Sequence, residues 1–181
     1  MKKLRAFSVF SVLSVVNVLL AGLASAEVGR QHGVVLLGMR MQGLKSAVPA
    51  ARVRDWDGNK LVEWENPGQP DIHICAQVYK DRVYRIVVNY DPKYGRTQFN
   101  DFIAFMRIAT GKRPRWTLQG RDHRTVGVWQ DTKTRLELWS PGQNTASYTT
   151  VFFDLKSQKG QQEALVKPQN ISWRGCGGDQ K

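Results

Sequence analysis

The spacing of apolar and polar side chains changes period several times along this chain, and each change marks an element. Val34-Val35-Leu36-Leu37-Gly38-Met39 is a short apolar run that predicts a buried strand or strand end. Met41, Leu44 and Val48 follow at near-helical spacing, so a short helix is expected, weakened by Gly43 and stopped by Pro49. Period two then takes over. Arg52–Trp56 and Lys60–Glu65 read as a hairpin turned at Asp57-Gly58, with Val62 and Trp64 on one face. Residues 66–70, Asn-Pro-Gly-Gln-Pro, form a loop. Ile72–Tyr79 and Arg82–Tyr90 make the next pair, turned at Lys80-Asp81. Strict alternation puts Tyr84, Ile86, Val88 and Tyr90 on one face and Val83, Arg85, Val87 and Asn89 on the other.

A second, stronger helix signal follows the break at residues 91–95. Thr97 suits an N-cap, and Phe99, Phe102, Ile103 and Met106 obey the i, i+3, i+4, i+7 rule. Arg107 falls in the last turn, Gly111 at the stop and Pro114 beyond it. The expectation is one buried helix face packed on a sheet that includes Tyr84, Ile86 and Val88. Residues 111–124 then read as a loop rich in Pro, Gly and Arg. Val126, Val128 and Trp129 lead to a turn at Asp131-Thr132. Thr134, Leu136 and Leu138 alternate with Arg135, Glu137 and Trp139, and residues 140–144 turn again. Tyr148–Leu155 is the last expected strand, before a polar Lys/Gln tail. The pattern defines an α+β fold: antiparallel sheet meanders packed against one or two helices, in two loose helix-plus-sheet copies.

The first 26 residues belong to a different pattern. Lys2, Lys3 and Arg5 precede an uncharged run from Ala6 to Ala24, and Ala24-Ser25-Ala26 supplies the small-x-small motif of a cleaved signal peptide. No Cys stands at the position Leu23 occupies, so lipid anchoring is not expected. Residues 27–181 then form a single domain with a Gly-rich C-terminal tail. The leader holds three of the 27 basic residues and none of the 15 acids, which leaves the remainder at +9. A surplus of that size favours anionic partners. Two cysteines in an exported chain, Cys75 and Cys176, predict a disulfide, and Cys176 sits among Gly175, Gly177 and Gly178.

Leu36-Leu37-Gly38-Met39, the helix ending near Pro49 and the Trp64-bearing strand resemble the opening of small bacterial envelope proteins of the SmpA/OmlA type. Their fold relatives include the β-lactamase-inhibitor-protein domains, built from helix-plus-sheet repeats. The resemblance covers residues 33–65. It departs at Arg40, where that family has a Ser or Thr cap, and in lacking the lipobox Cys. It implies a non-enzymatic envelope protein acting through protein contacts.

Linear catalytic signatures are absent from the sequence: no Gly-x-Ser-x-Gly, no His-Glu-x-x-His and no Gly-rich phosphate loop. His32 and His123 read as solvated side chains. His73 and Cys75 share a strand face but lack further ligands at metal spacing. Glu63 and Glu65 share a face as surface carboxylates do. No cofactor is expected. The densest signal lies in residues 111–124, where Lys112, Arg113, Arg115, Arg121 and Arg124 accompany Trp116 and a single acid, Asp122, with Arg107 just before them. Cations interleaved with an aromatic ring suit phosphate or sugar-acid contact with stacking.

The sequence therefore favours a periplasmic or secreted, non-enzymatic binding protein. Its expected partner is an anionic envelope component, such as lipopolysaccharide or acidic glycan, or an acidic protein, with nucleic acid as a further anionic candidate. A second reading is an assembly or inhibitor protein that binds through a sheet face of Trp64, Trp129 and Trp139. A hydrolase with a site assembled only in space is the third. Cleavage after Ala26 predicts that protein recovered from its native host begins at Glu27. Intact-mass measurement checks this, and a retained Met1 overturns it.

Overall fold

The computed structural model describes residues 27–56, 58–66, 69–90, 95–119, 124–141 and 147–165. The expected leader and Cys176 lie outside the described residues. The chain opens with a small hairpin, β1 (Gln31–His32) and β2 (Val35–Leu36), and a short helix α1 (Met41–Ala47). Four antiparallel strands follow: β3 (Arg52–Trp56), β4 (Asn59–Asn66), β5 (Gln69–Tyr79) and β6 (Arg82–Tyr90). The long helix α2 (Gly95–Thr110) then precedes a second set, β7 (Arg115–Gln119), β8 (Arg124–Gln130), β9 (Thr134–Trp139) and β10 (Tyr148–Asp154). Helix α3 (Gln158–Leu165) follows. A helix followed by a four-stranded meander thus occurs twice.

The two meanders join into one eight-stranded sheet in the order β3-β4-β5-β6-β10-β9-β8-β7. Their seam is the antiparallel pair β6–β10, with Tyr90 opposite Tyr148, Val88 opposite Thr150 and Ile86 opposite Phe152. The Tyr90 and Tyr148 rings stack at 4.2 Å and 9° across it. Burial of the Tyr90 phenol pushes its pKa up to about 12.

One face of the sheet is dry. Val62, Ile74, Ala76, Val83, Ile86, Val88, Leu136, Leu138 and Phe152 pack there with Leu44 of α1 and Met106 of α2, and Phe99, Phe102 and Ile103 lean on the same cluster. The expected helix face is therefore core. Phe102 meets Trp129 edge-on at 6.4 Å. Arg40 is the N-cap of α1 and makes no side-chain capping bond, so the tertiary packing of Leu44, 0% exposed, holds this seven-residue helix.

The segment just past the expected cleavage site is tied to the second half of the chain. Val28 N–H donates to Asp131 Oδ2 at 2.6 Å, and Arg30 donates to Asp154 at 2.7 Å and to the Lys133 carbonyl at 2.8 Å. Asp131 also accepts from the Lys133 and Thr134 amides, closing the β8–β9 turn.

Four expectations change. Tyr84 does not share a face with Ile86. The β5–β6 register shifts at Gln77/Val78, so that Val78 faces Val83 and Gln77 faces Arg85. The extra residue is a bulge. It returns Val83 to the dry face and sends Tyr84 to the opposite one beside Arg85. The expected loop at residues 111–124 contains strand β7, an edge strand paired to β8 from Arg115 to Gln119. The polar tail after Tyr148–Leu155 contains α3. Thr97 lies inside α2 rather than at its cap, since the helix begins at Gly95.

Because Ile86 is 0% exposed at the seam and Ile108 is 80% exposed on the outer side of α2, Ile86→Ala is expected to cost roughly 2–5 kcal/mol. Ile108→Ala should cost less than about 0.5 kcal/mol. Urea unfolding monitored by circular dichroism distinguishes them, and equal costs overturn the assignment.

Candidate functional site

The cationic segment forms one margin of the sheet. α2 ends at Gly111, whose φ of +65° is open to glycine at little cost. Thr110 Oγ1 donates to the Met106 carbonyl at 2.7 Å and accepts the Lys112 amide at 3.2 Å. Trp129 Nε1 donates to the Lys112 carbonyl at 3.2 Å, fixing the exit of the chain against β8. The backbone then enters β7, at the edge of the sheet.

Trp116 is seated rather than loose. It pairs with Gly127 across β7 and β8. A Cβ added at Gly127 would come within 3.0 Å of the indole ring and 3.2 Å of Pro114, so a side chain there would press the ring aside. Phe99 of α2 stands 6.3 Å away. With one side packed, Trp116 still keeps 45% of its surface exposed. A fixed, half-exposed indole is a stacking platform that needs little ordering on contact.

The cations do not all join it. Arg115 pairs with Val128 and Arg124 with Gln119, which puts Arg115 and Arg124 on the opposite side of the sheet from Trp116 and Gly127. Arg124 is partly buried and already engaged. Arg121 lies outside the described residues. Arg107, Lys112 and Arg113 are exposed at and after the end of α2, which packs on the Trp116 side. The margin therefore wraps around an edge strand instead of forming one flat patch.

Charge pairing divides the described cations: seven are matched, while the four exposed ones of this margin are not, and neither are Arg40, Lys45, Arg52, Lys80, Arg82 and Lys156 elsewhere. Arg30, Arg54, Lys60, Arg85, Lys133, Arg135 and Lys159 each meet a carboxylate at 2.5–3.5 Å. Among the described residues, Arg107, Lys112, Arg113 and Arg115 meet none.

The second face of the sheet holds a buried polar cluster that the sequence reading did not single out. Arg85, with a side chain 3% exposed, reaches Glu163 of α3 at 3.2 Å and lies 5.3 Å over the Phe153 ring. The Tyr84 hydroxyl donates to Gln77 Oε1 at 2.8 Å. Glu137, side chain 1% exposed, accepts from Arg135 at 2.7 Å and from Trp139 Nε1 at 3.1 Å. Burial drives the Glu137 carboxyl pKa upward and the Arg85 pKa downward, while their charged neighbours oppose both shifts. Arg85 and Tyr84 tie α3 to the sheet through Glu163, while Glu137 is held within β9 by Arg135 and Trp139. Their sequence signal was a charge at an interior position of a strand otherwise built of Val, Ile and Leu, at Arg85 and Glu137.

The aromatic sheet face does not form. Trp129 and Trp139 are 2% and 3% exposed and belong to the dry and second faces respectively. Trp64 packs against the dry cluster. His73 is exposed beside Glu65 on β4, and no group of three His, Cys, Asp or Glu placed to hold a metal occurs among the described residues. Cys75 is 1% exposed and is not a free thiol. His123 lies outside the described residues. No helix among the described residues is long and apolar enough to cross a membrane. Comparison with protein-family models, curated proteins and solved structures finds no match to this chain.

His32 is not a solvated side chain. It lies 6.2 Å from the Phe152 ring, and burial pushes its pKa down to about 4 from 6.5. The folded protein therefore keeps it neutral while the unfolded chain takes up a proton below pH 6.5. Its contribution to stability is present above pH 6.5 and is lost as pH falls towards 4, by an amount on the order of 2 kcal/mol. His32→Gln should flatten this part of the stability–pH curve, read as melting temperature from pH 7 to 4. A parallel curve in the variant overturns the assignment.

Proposed function

We propose that this chain is an exported, non-enzymatic binding protein, periplasmic or secreted, whose cationic margin around Trp116 engages an anionic envelope component. The chemistry recognised is clustered phosphate or carboxylate on a polyanion, as in lipopolysaccharide or acidic glycan. The observation that carries the reading is the lack of any ion-pair partner for Arg107, Lys112, Arg113 and Arg115, while seven other cations are matched with carboxylates. Unmatched cations beside a half-exposed, rigidly seated indole suit anions carried on a stacking or apolar framework. The likeness to SmpA/OmlA-type envelope proteins over residues 33–65 points in the same non-enzymatic direction.

The test is binding of the processed protein to lipopolysaccharide, acidic glycan and nucleic acid at low and high salt. Each exposed cation contributes about 1 kcal/mol at contact distance in water. The triple variant Arg107→Ser, Arg113→Ser, Arg115→Ser should therefore bind on the order of 100-fold more weakly at low salt. High salt should narrow the difference. Trp116→Ala should weaken binding at both salt concentrations. Unchanged affinity in the triple variant places the function elsewhere, and stronger binding to nucleic acid than to either glycan overturns the choice of partner.

A further inference from the structure

We propose that Arg40 and Arg82 form a second anion site, a clamp of two guanidinium groups that holds one phosphate group at the start of β6. The segment before α1 lies against this strand through backbone bonds. Gly38 N–H donates to the Val83 carbonyl at 2.7 Å, Val83 N–H to the Met39 carbonyl at 2.9 Å and Met41 N–H to the Asp81 carbonyl at 3.0 Å. These bonds flank an isolated antiparallel bridge between Arg40 and Arg82. Because they run from the neighbours on either side, the two arginines are a non-hydrogen-bonded pair. In that arrangement facing side chains come closest, with Cβ atoms about 4.5–5.5 Å apart.

Like charges placed directly opposite one another repel. Both arginines are exposed, and among the described residues neither meets a carboxylate. Arg82 has a local role, since its Nη1 donates to the Gly38 carbonyl at 2.9 Å. Arg40 has no such bond. It occupies the N-cap position of α1 without capping it, where Ser, Thr, Asp or Asn would stabilise the helix. The β5–β6 turn adds a third exposed cation, Lys80, two positions before Arg82. Lys80 and Asp81 hold φ of +46° and +65°, the conformation that Asn and Gly adopt most readily. Lys80 Nζ sits 5.3 Å over the Tyr79 ring. Asp81, the acid of this turn, forms no ion pair with the three cations among the described residues.

An anion that both guanidinium groups share relieves this repulsion. A phosphate monoester suits the pair, with about two negative charges near neutral pH and three terminal oxygens, enough for a fork from each arginine. A carboxylate offers one charge and two oxygens, which a single arginine satisfies. With Nη1 turned to Gly38, Arg82 keeps the Nη2 and Nε donors for the ligand. The clamp is separate from the margin at Trp116. β6 and β7 are four neighbours apart in the sheet, or roughly 19 Å at about 4.8 Å each, too far for one phosphate to touch both.

Nuclear magnetic resonance of the arginine Nε–H groups in the full processed chain, at matched ionic strength, tests the clamp. Inorganic phosphate should shift the Arg40 and Arg82 signals together and saturably, while acetate leaves them in place. Glucose 6-phosphate and vesicles containing phosphatidic acid, titrated separately, distinguish a soluble phosphate ester from a lipid headgroup, and a response to neither overturns the choice of ligand. Arg40→Gln breaks no described side-chain contact and should weaken phosphate binding by about tenfold or more. Asp81→Asn keeps a residue suited to the turn and should strengthen it by about threefold. Unchanged affinity in either variant, an equal response to acetate, or no saturable shift overturns the clamp. The triple variant Arg107→Ser, Arg113→Ser, Arg115→Ser should show the same Arg40 and Arg82 shifts as the unaltered protein. Their disappearance there would assign the phosphate to the margin at Trp116 and overturn a second site.

Discussion

The molecule depends on the pairing of β6 with β10. Each four-stranded meander on its own would end in an open edge at that strand, with a row of unsatisfied N–H and C=O groups beside apolar side chains. Pairing the two edges satisfies both rows and turns two marginal sheets into one broad enough to bury a helix at each end. The residues at this seam are correspondingly well buried: Ile86, Val88, Thr150 and Val151 are all 0% exposed. Thr149 adds a bond from its hydroxyl to Asn89 at 2.9 Å across the same seam. The edges that remain, β3 and β7, are short and carry Arg52, Arg54 and Arg115, which discourage a further strand from adding.

The seam also explains why the two faces differ. α1 and α2 precede their meanders in the same order and land on the same side of the joined sheet, so one face is doubly covered and can be wholly apolar. Among the described residues the other face receives α3, and here the chain uses charge. Arg85 and Glu137 sit in adjoining regions of a low-dielectric layer, where an ion without a partner would cost several kcal/mol. Each is matched, Arg85 by Glu163 and Glu137 by Arg135. Matched buried ions are weak sources of net stability, but the Arg85–Glu163 pair ties α3 to β6. The bulge at Tyr84 serves the same end, because it puts two successive residues, Tyr84 and Arg85, within reach of Glu163.

Most of the fold was legible in the sequence because its elements bury one face and expose another. Phe99, Phe102, Ile103 and Met106 declare a helix by spacing alone, and β9 declares itself by Leu136 and Leu138 against Arg135 and Glu137. What period cannot carry was lost. A bulge inserts one residue and reverses the parity of everything before it, so Tyr84 was assigned to the wrong face. β7 opens with Arg-Trp-Thr, all three exposed, so its first half shows no apolar alternation. α3 is Gln- and Lys-rich and is held by Glu163 and Ala164 rather than by an apolar stripe. His32 looked solvated because nothing local announces that Phe152, 120 positions away, will cover it. At the candidate site, the density of cations and the presence of Trp116 were readable; their division by an edge strand, and the glycine seat beneath the indole, depend on pairing with β8.

That division bears on why the cations are there at all. Arg107 and Lys112 at the end of α2 gain a few tenths of a kcal/mol from the helix dipole, a gain that exposure and salt reduce. Against it stands their mutual repulsion with Arg113 and Arg115, in a chain where seven other cations have carboxylates beside them. Stability therefore gives no reason to concentrate four unmatched cations here. Solubility gives only a weak one, since charge spread evenly would serve as well without the repulsion. Trp116 sharpens the point, because its indole packs closely over Gly127 at this margin yet keeps nearly half its surface in solvent. A core would have enclosed that ring and a purely soluble surface would have omitted it. Its cost and that of Arg107, Lys112 and Arg113 fall on one side of the edge strand, with Arg115 across it, which favours a single cause, an anionic partner that wraps this edge.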